Sequence, residues 1–314
     1  MHNVAILMCT YNGEKYLLEQ IDSILSQKDV NIRLYIRDDC STDSTRQILK
    51  QIEERDNIFV SYDSHNLGPG MGFMKMLFDL YASGDVEAYQ IEYIGFADQD
   101  DVWLPKKIIR GIEMIGDTEK PVLYCSNQLL YKNNEQESKK RFTELPDMTL
   151  EGHITKNSLS GCTMIFNDKM LKEIVKCQGI GHEILDYRMH DAWIFLVALL
   201  VGKAVYDDES YILYRIHENN TVGVVTKSYL ERAREAHRPN RYGVKCKNLR
   251  YKTAKLLLAS YEPQRTEDYE LLKMISEYKD CFRNRVKLAL STKIQKKSGE
   301  RRLIYMGRVI FGLL

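Results

Sequence analysis

A mostly parallel α/β sheet flanked by helices, followed by a helical appendage, is the architecture this sequence predicts. Three observations carry the prediction. The first third alternates short apolar runs with helical patterns, and such alternation buries a parallel sheet under helices on both faces. Each polar cluster of that third falls at the end of an apolar run: Cys9-Thr10-Tyr11-Asn12-Gly13, Asp38-Asp39, His65-Asn66-Leu67-Gly68 and Asp98-Gln99-Asp100-Asp101. Ligands of such sheets bind outside the carboxyl ends of the strands. From residue 226 onward the pattern turns helical and basic. At 314 residues the chain exceeds the usual size of one domain. It divides into an α/β domain, residues 1–225, and a helical region, residues 226–314.

The elements follow in order. Residues 4–8 (Val-Ala-Ile-Leu-Met) read as the first strand. Residues 14–27 carry Tyr16, Leu17, Ile21, Ile24 and Leu25 at helical spacing. Residues 33–37 form the second strand, and Ser41-Thr42-Asp43-Ser44 supplies N-cap chemistry for a helix to about Arg55. Residues 58–62 are a third strand, 71–82 a third helix and 93–97 a fourth strand, with Pro105 suited to the first turn of the next helix. Beyond it, 122–126 and 161–166 read as strands and 132–140 as a charged, exposed connection. Residues 182–190 mix Tyr, Arg, His and Asp after Gly179 and Gly181, a composition suited to a loop over a site. An apolar helix at 192–201, an edge strand at 203–207 and a strand at 211–216 close the domain, before a polar tip at 218–223.

Composition narrows the function classes. A net charge of +1 excludes a general polyanion binder, so no nucleic-acid partner is expected. Seven cysteines without a CxxC argue against a disulfide framework or zinc site and fit a reducing compartment. Met1-His2-Asn3 leads straight into the first apolar run without a basic segment, so no signal peptide is expected. The longest apolar run, residues 192–201, is about half of a bilayer span. The expectation is a cytoplasmic protein, either soluble or peripheral on the inner face of the membrane.

The chemistry centres on Ile94-Gly95-Phe96-Ala97-Asp98-Gln99-Asp100-Asp101-Val102-Trp103. In an extended chain Asp98 and Asp100 face one side and Asp101 the other. Two carboxylates so close repel unless a cation sits between them, and a hard divalent ion that also holds phosphate is the usual solution. A solvated acidic turn is the plainer alternative. The immediate return to Val102-Trp103-Leu104-Pro105 favours the wall of a site.

Thr10-Tyr11-Asn12-Gly13, Asp38-Asp39-Cys40-Ser41-Thr42-Asp43, Asn66-x-Gly68 and Asp98-x-Asp100-Asp101 resemble the ordered motifs of the family 2 glycosyltransferases, which have the GT-A fold. The likeness covers roughly residues 3–225. Phe96-Ala-Asp-Gln-Asp-Asp-Val-Trp103, His190-Asp191-x-Trp193 and Tyr214-Arg-x-His217-x-x-Asn220 are similar to the rhamnosyltransferase branch that builds bacterial surface polysaccharides. Cys40 stands where that family usually has Gly, which suggests a turn without positive φ.

The resemblance implies an inverting hexosyltransferase that uses Mn2+ or Mg2+. Thr10, Tyr11 and Asn12 would then form the nucleotide turn, with Tyr11 offering an aromatic face to the base. Asp38 would accept the ring N3–H of uracil or thymine, Asp39 being its structural neighbour. Asp98 would face the ribose or the metal, and Asp100 the metal. Asn66-Leu67-Gly68-Pro69-Gly70 is either a plain loop or a site-lining one. Asp191 has two readings: charge compensation at the start of a helix, or the base that deprotonates the acceptor hydroxyl. Its match to the family's base favours the second. His190 and Trp193 would flank the acceptor, with Gly161-Cys162 near it. His217 would reach the metal or the diphosphate, and Arg215 is a candidate phosphate clamp.

By resemblance the donor is dTDP-rhamnose, with a UDP-hexose as the alternative; a lipid-linked glycan as acceptor would explain such an enzyme without a transmembrane span. In the tail, basic residues from Arg283 to Arg308 alternate with apolar ones from Val286 to Leu314. Residues 283–314 would therefore either lie on a membrane surface or pack on the catalytic domain or a second copy in a homodimer. Three other classes fit less well. A nucleotidyltransferase would want a glycine-rich basic phosphate loop, a glycosidase needs no base-binding Asp38, and a non-catalytic glycan-binding protein needs no metal.

Overall fold

The computed structural model describes residues 1–132, 135–157, 159–217, 248–298 and 301–313. The polar tip at 218–223, Asn220 of the third motif and the basic stretch 232–247 lie outside these residues.

The first half is a strand–helix alternation: β1 (His2–Thr10), α1 (Leu17–Leu25), β2 (Val30–Asp38), α2 (Thr45–Ile52), β3 (Ile58–Tyr62), α3 (Gly68–Ala82), α4 (Asp85–Ala88) and β4 (Tyr93–Ala97). Then come β5 (Val102–Trp103), α5 (Lys107–Ile115), β6 (Val122–Lys132), β7 (Glu135–Lys140), α6 (Leu150–His153), β8 (Ile165–Asn167), α7 (Asp168–Ile174), α8 (His182–Val201) and β9 (Lys203–Arg215). The tail forms α9 (Leu249–Ser260), α10 (Thr266–Ser276), α11 (Phe282–Leu290), α12 (Thr292–Ser298) and α13 (Arg302–Ile310).

The described strands make one sheet in the order β3-β2-β1-β4-β8-β6-β9-β5, with β7 on β6. It is parallel from β3 through β4, as the alternation predicts. Beyond β4 it is mixed: β8 runs antiparallel to β4 and β6, β9 parallel to β6, and β5 antiparallel to β9. β1 is central and buried on both sides. Val4, Ile6 and Met8 enter one core with α1, α2 and α5; Ala5 and Leu7 enter the other with α3 and α8. Alternation along one strand thus supplies both cores.

Several local expectations change. The charged run is no loose connection, because β7 pairs with the far end of β6; an edge strand tolerates charge well. Gly161–Thr163 is a 3-10 turn closed by Met164 N–H donating to Gly161 O at 2.8 Å, which leaves only β8 as strand. The supposed loop 182–190 is helical, since Ile184, Leu185 and Arg188 are buried; its one break is Met189, at φ 62°. Residues 203–207 and 211–216 are not separate strands, because β9 runs through both; 203–207 pairs with β6 alone, as an edge would, and β5 covers β9 only at Ile212 and Leu213. Cys40 does adopt positive φ, 66°, so the turn keeps the left-handed geometry that glycine would supply.

The tail helices are not a loose appendage. Leu257, Leu272, Ile275, Tyr278, Leu288, Ile294, Tyr305 and Val309 are buried in the same apolar cluster as α3 and α8. Their other side carries Phe282, Leu290, Leu303, Ile304, Phe311 and Leu313, all exposed.

Candidate active site

Parallel register brings three strand ends together. Thr10 sits opposite Asp38, and Met8 opposite Ala97, so the segments after β1, β2 and β4 meet at one end of the sheet. The turn 10–13 is fastened from both sides. Gln99 accepts from Thr10 Oγ1 at 2.6 Å and from Tyr11 N–H at 2.9 Å, and its Nε2 donates to Tyr11 O at 3.2 Å. Asn12, at φ 50°, accepts from Thr42 N–H at 2.8 Å, while its own N–H donates to Ser41 Oγ at 2.9 Å. Gly13 N–H donates to Thr45 Oγ1 at 2.8 Å, and a Cβ on Gly13 would fall on the Gln99 side chain. Gln99 is therefore a positioning residue that the sequence pattern did not single out, although it stands inside the Asp98–Asp101 motif.

Asp38 is fully buried. One carboxylate oxygen accepts from Arg46 Nε at 2.5 Å and from Ser41 N–H at 3.2 Å; the other, Oδ1, has no partner among the described residues. A buried acceptor without a donor is costly, and a base N–H would satisfy it. Asp39 takes the structural part: it accepts from Leu67 N–H at 2.7 Å and Gly68 N–H at 2.8 Å, holding the start of α3.

The three carboxylates do not alternate as an extended chain would, because the backbone bends after Ala97. Asp98, Asp101 and Cys162 bring one ligand atom each within 4.8 Å of one another. Asp101 is buried, accepts from Arg215 N–H at 3.2 Å and leaves Oδ2 without a partner among the described residues. Asp100 instead meets His217, its Oδ2 lying 2.7 Å from Nε2. Burial, and then the charge of Asp100, raises the Asp98 carboxyl to about 6 and the Asp101 carboxyl well above the carboxylate range.

Such a cluster fits a hard divalent cation, which would relieve the repulsion that raises these carboxyls. Cys162 is a poor member of it, since burial pushes its thiol far up and keeps it protonated. The oxygens of Asp98 and Asp101 suit a hard divalent cation better than a thiol-binding metal.

Arg215 is almost wholly buried and braces the carboxylate loop. Nε donates to Asp100 O at 2.8 Å, and another guanidinium nitrogen to Glu19 at 2.5 Å. The guanidinium lies 4.4 Å from the Tyr16 ring centroid and 4.6 Å from that of Tyr131. These contacts correct its reading as a phosphate clamp: they engage the charge within the protein. Glu19 and Lys107 were not foreseen. The buried Lys107 stacks its Nζ 3.7 Å over Trp103, and burial lowers its ammonium to about 7.

Asp191 follows the break at Met189, whose positive φ re-aims the chain. Its Oδ1 accepts from Ala192 N–H at 2.6 Å, and the Asn157 side chain and Gly161 backbone also hydrogen-bond to it. Burial outweighs these bonds and raises its carboxyl to about 7, with the charge of Asp98 adding to the rise. Gly161 makes this approach possible, because a Cβ there would meet the His190 ring and lie 3.3 Å from Asp191 Cβ.

His190 and Trp193 do not flank an open site. His190 is buried between Phe73, at 4.2 Å, and Phe96, at 4.9 Å between ring centroids, and burial lowers it to about 3. Trp193 is wholly buried among apolar side chains. Both side chains, one residue before and two after Asp191, are turned into the core.

The chain is 32% identical over 222 residues to the dTDP-rhamnosyl transferase RfbG of Shigella flexneri, covering 69% of this chain and 73% of that one. It is 31% identical over 133 residues to the Escherichia coli UDP-Glc:alpha-D-GlcNAc-diphosphoundecaprenol beta-1,3-glucosyltransferase WfaP, covering 42% and 49%. The structure of S. aureus TarS 1–349 with UDP-GlcNAc superposes with a TM-score of 0.57 at 19% identity, covering 100% of this chain and 82% of that one, so the fold is GT-A. The family described as Glycosyl transferase family 2 matches residues 5–175, a span that includes every strand-end motif from Thr10 to Asp101, and the chain belongs to that family.

Proposed function

We propose that the protein is an inverting, metal-dependent hexosyltransferase whose catalytic domain is residues 1–225. It would transfer L-rhamnose from dTDP-rhamnose to a lipid-linked glycan in bacterial surface-polysaccharide synthesis. The observation that carries this reading is geometric: the buried Asp38, its Oδ1 without a partner among the described residues, and the Asp98–Asp101 pair lie at one end of the sheet, and Asp191 hydrogen-bonds to Gly161, next to Cys162 of that cluster. Burial also raises the Asp191 carboxyl to about 7. A base works best when its pKa lies near the working pH.

In the proposed reaction the acceptor oxygen attacks the anomeric carbon as the bond from that carbon to the diphosphate breaks. Asp191 takes the hydroxyl proton, and the leaving diphosphate takes the electron pair. Thr10, Tyr11 and Asn12 would hold the nucleotide, Asp38 Oδ1 would accept the base N–H, and Gln99 would keep their turn in place. Asp98, Asp100 and Asp101 would hold Mg2+ or Mn2+, with His217 beside Asp100. That ion would offset the charge building on the leaving group.

The dTDP-rhamnosyl transferase activity of RfbG supports dTDP-rhamnose, and the UDP-GlcNAc on TarS supports a UDP-hexose as the alternative. The diphosphoundecaprenol acceptor of WfaP supports a lipid-linked acceptor. Among the described residues no helix is long and apolar enough to cross a membrane. The exposed Leu303, Ile304 and Phe311, beside Arg283, Lys287, Lys296 and Arg301, support peripheral contact with the inner face of the cell membrane. The same face would serve a homodimer as the alternative.

Hydrolysis of a panel of nucleotide sugars, with and without Mn2+ or Mg2+, tests the reading. Metal-dependent turnover with dTDP-rhamnose ahead of the UDP-hexoses is expected. No turnover and no nucleotide binding under any metal would leave a non-catalytic glycan-binding protein instead.

A further inference from the structure

The two oxygens of the buried Asp38 carboxylate are used unequally. Oδ2 accepts from Arg46 Nε at 2.5 Å and from Ser41 N–H at 3.2 Å, while Oδ1 has no partner among the described residues. Arg46 is the second residue of α2, and its side chain is 37% exposed. Another of its guanidinium nitrogens donates to Asp63 O at 2.6 Å, just past the end of β3. Thr45, one residue earlier, accepts from Gly13 N–H at 2.8 Å. The first turn of α2 therefore holds both the turn 10–13 and the Asp38 carboxylate.

An arginine that neutralises a carboxylate commonly takes both of its oxygens through two parallel bonds. Here the fork is split: one nitrogen engages Oδ2 and another goes to a backbone carbonyl. That split is what leaves Oδ1 available. A buried carboxyl without a counter-charge takes up a proton and becomes a donor. A guanidinium stays charged at any working pH, and the carboxylate beside it remains acceptor-only. Uracil and thymine offer such an acceptor their ring N3–H. Cytosine, of the same size, has a bare acceptor nitrogen at that position, and two buried acceptors facing each other are both left unsatisfied.

We propose that Arg46 is the positioning residue that sets base specificity. It keeps Asp38 an acceptor with Oδ1 unclaimed, so that the site takes a pyrimidine with a ring N–H and rejects cytosine. The proposal rests on the reading of Asp38 as the residue that meets the base.

Calorimetric titration of the intact protein with UDP, dTDP and CDP, each in the presence of Mn2+, tests it. The wild type should bind UDP and dTDP about tenfold to a hundredfold more tightly than CDP, the range for leaving a buried acceptor unpaired. Arg46→Gln should lose that preference, and Arg46→Lys, which keeps the charge, should retain most of it. A purely structural role would weaken all three nucleotides by one factor and leave their ratios unchanged. Partial unfolding does the same, so the ratio stays readable in a variant that melts early. Arg46→Gln with the wild-type preference intact overturns the proposal, as does an Arg46→Lys that loses it as fully as Arg46→Gln. Equal binding of UDP and CDP by the wild type overturns it together with the base-reading role of Asp38. No binding of any of the three by the wild type removes the nucleotide site altogether and counts against the transferase reading as well.

Discussion

Single residues set the proton chemistry. Asp191 owes its basicity to burial, which three hydrogen bonds only partly offset. The sign follows directly: the carboxyl is protonated below about 7 and accepts a proton only above it. Transfer should therefore rise with pH through about 7 and level off above it, as kcat/KM measured against pH would show. In the proposed role Asp191 would face the acceptor, so Asp191→Asn should bind donor normally. Its transfer rate should fall about 10²–10⁴-fold, the usual cost of a positioned base. Loss of donor binding in a titration with nucleotide sugar would instead put Asp191 at the nucleotide.

Among the elements, the end of β9 governs the loop after β4. Arg215 ties Asp100 O, Asp101 Oδ1 and Glu19 together, stacked between Tyr16 and Tyr131. Lysine in its place would keep the charge but lose the fork and the stacking. Arg215→Lys should destabilise the fold by about 1–3 kcal/mol, within the range for breaking a buried network. It should also weaken Mn2+ binding, because the carboxylates lose their brace. Thermal melting and metal titration check the two effects, and a variant with unchanged metal affinity would reduce Arg215 to a packing role.

For the whole molecule, the tail both completes the core and presents a separate outer face. Leu288, Ile294, Tyr305 and Val309 are buried against the catalytic unit, so removing residues from 283 onward would open that core. The membrane role is better tested on the exposed side chains. Leu303→Ser, Ile304→Ser and Phe311→Ser together remove residues that are 83%, 56% and 78% exposed. They should leave melting unchanged and abolish binding to anionic vesicles. Binding of the wild type should weaken with salt, since exposed charges are screened over about 10 Å at 0.1 M. Loss of a dimer in sedimentation, with no vesicle binding by either protein, would assign the face to a second copy.

The sequence by itself determined the parallel half of the sheet, because Val4 to Met8 and Ile94 to Ala97 read as strands without partners in view. It also placed Thr10, Asp38 and Asp98 at strand ends, since one loop per strand end follows from that alternation. The tertiary structure alone decided which carboxylates meet. Alternation set Asp98 beside Asp100, but the bend after Ala97 brings Asp98 to Asp101 and gives Asp100 to His217. It also decided that Arg215 is a brace, that Trp193 is core and that Lys107 lies over Trp103. Periodicity reports which side of a regular element a residue takes. It carries nothing about irregular backbone or about which side chain, 100 residues away, arrives to meet a charge.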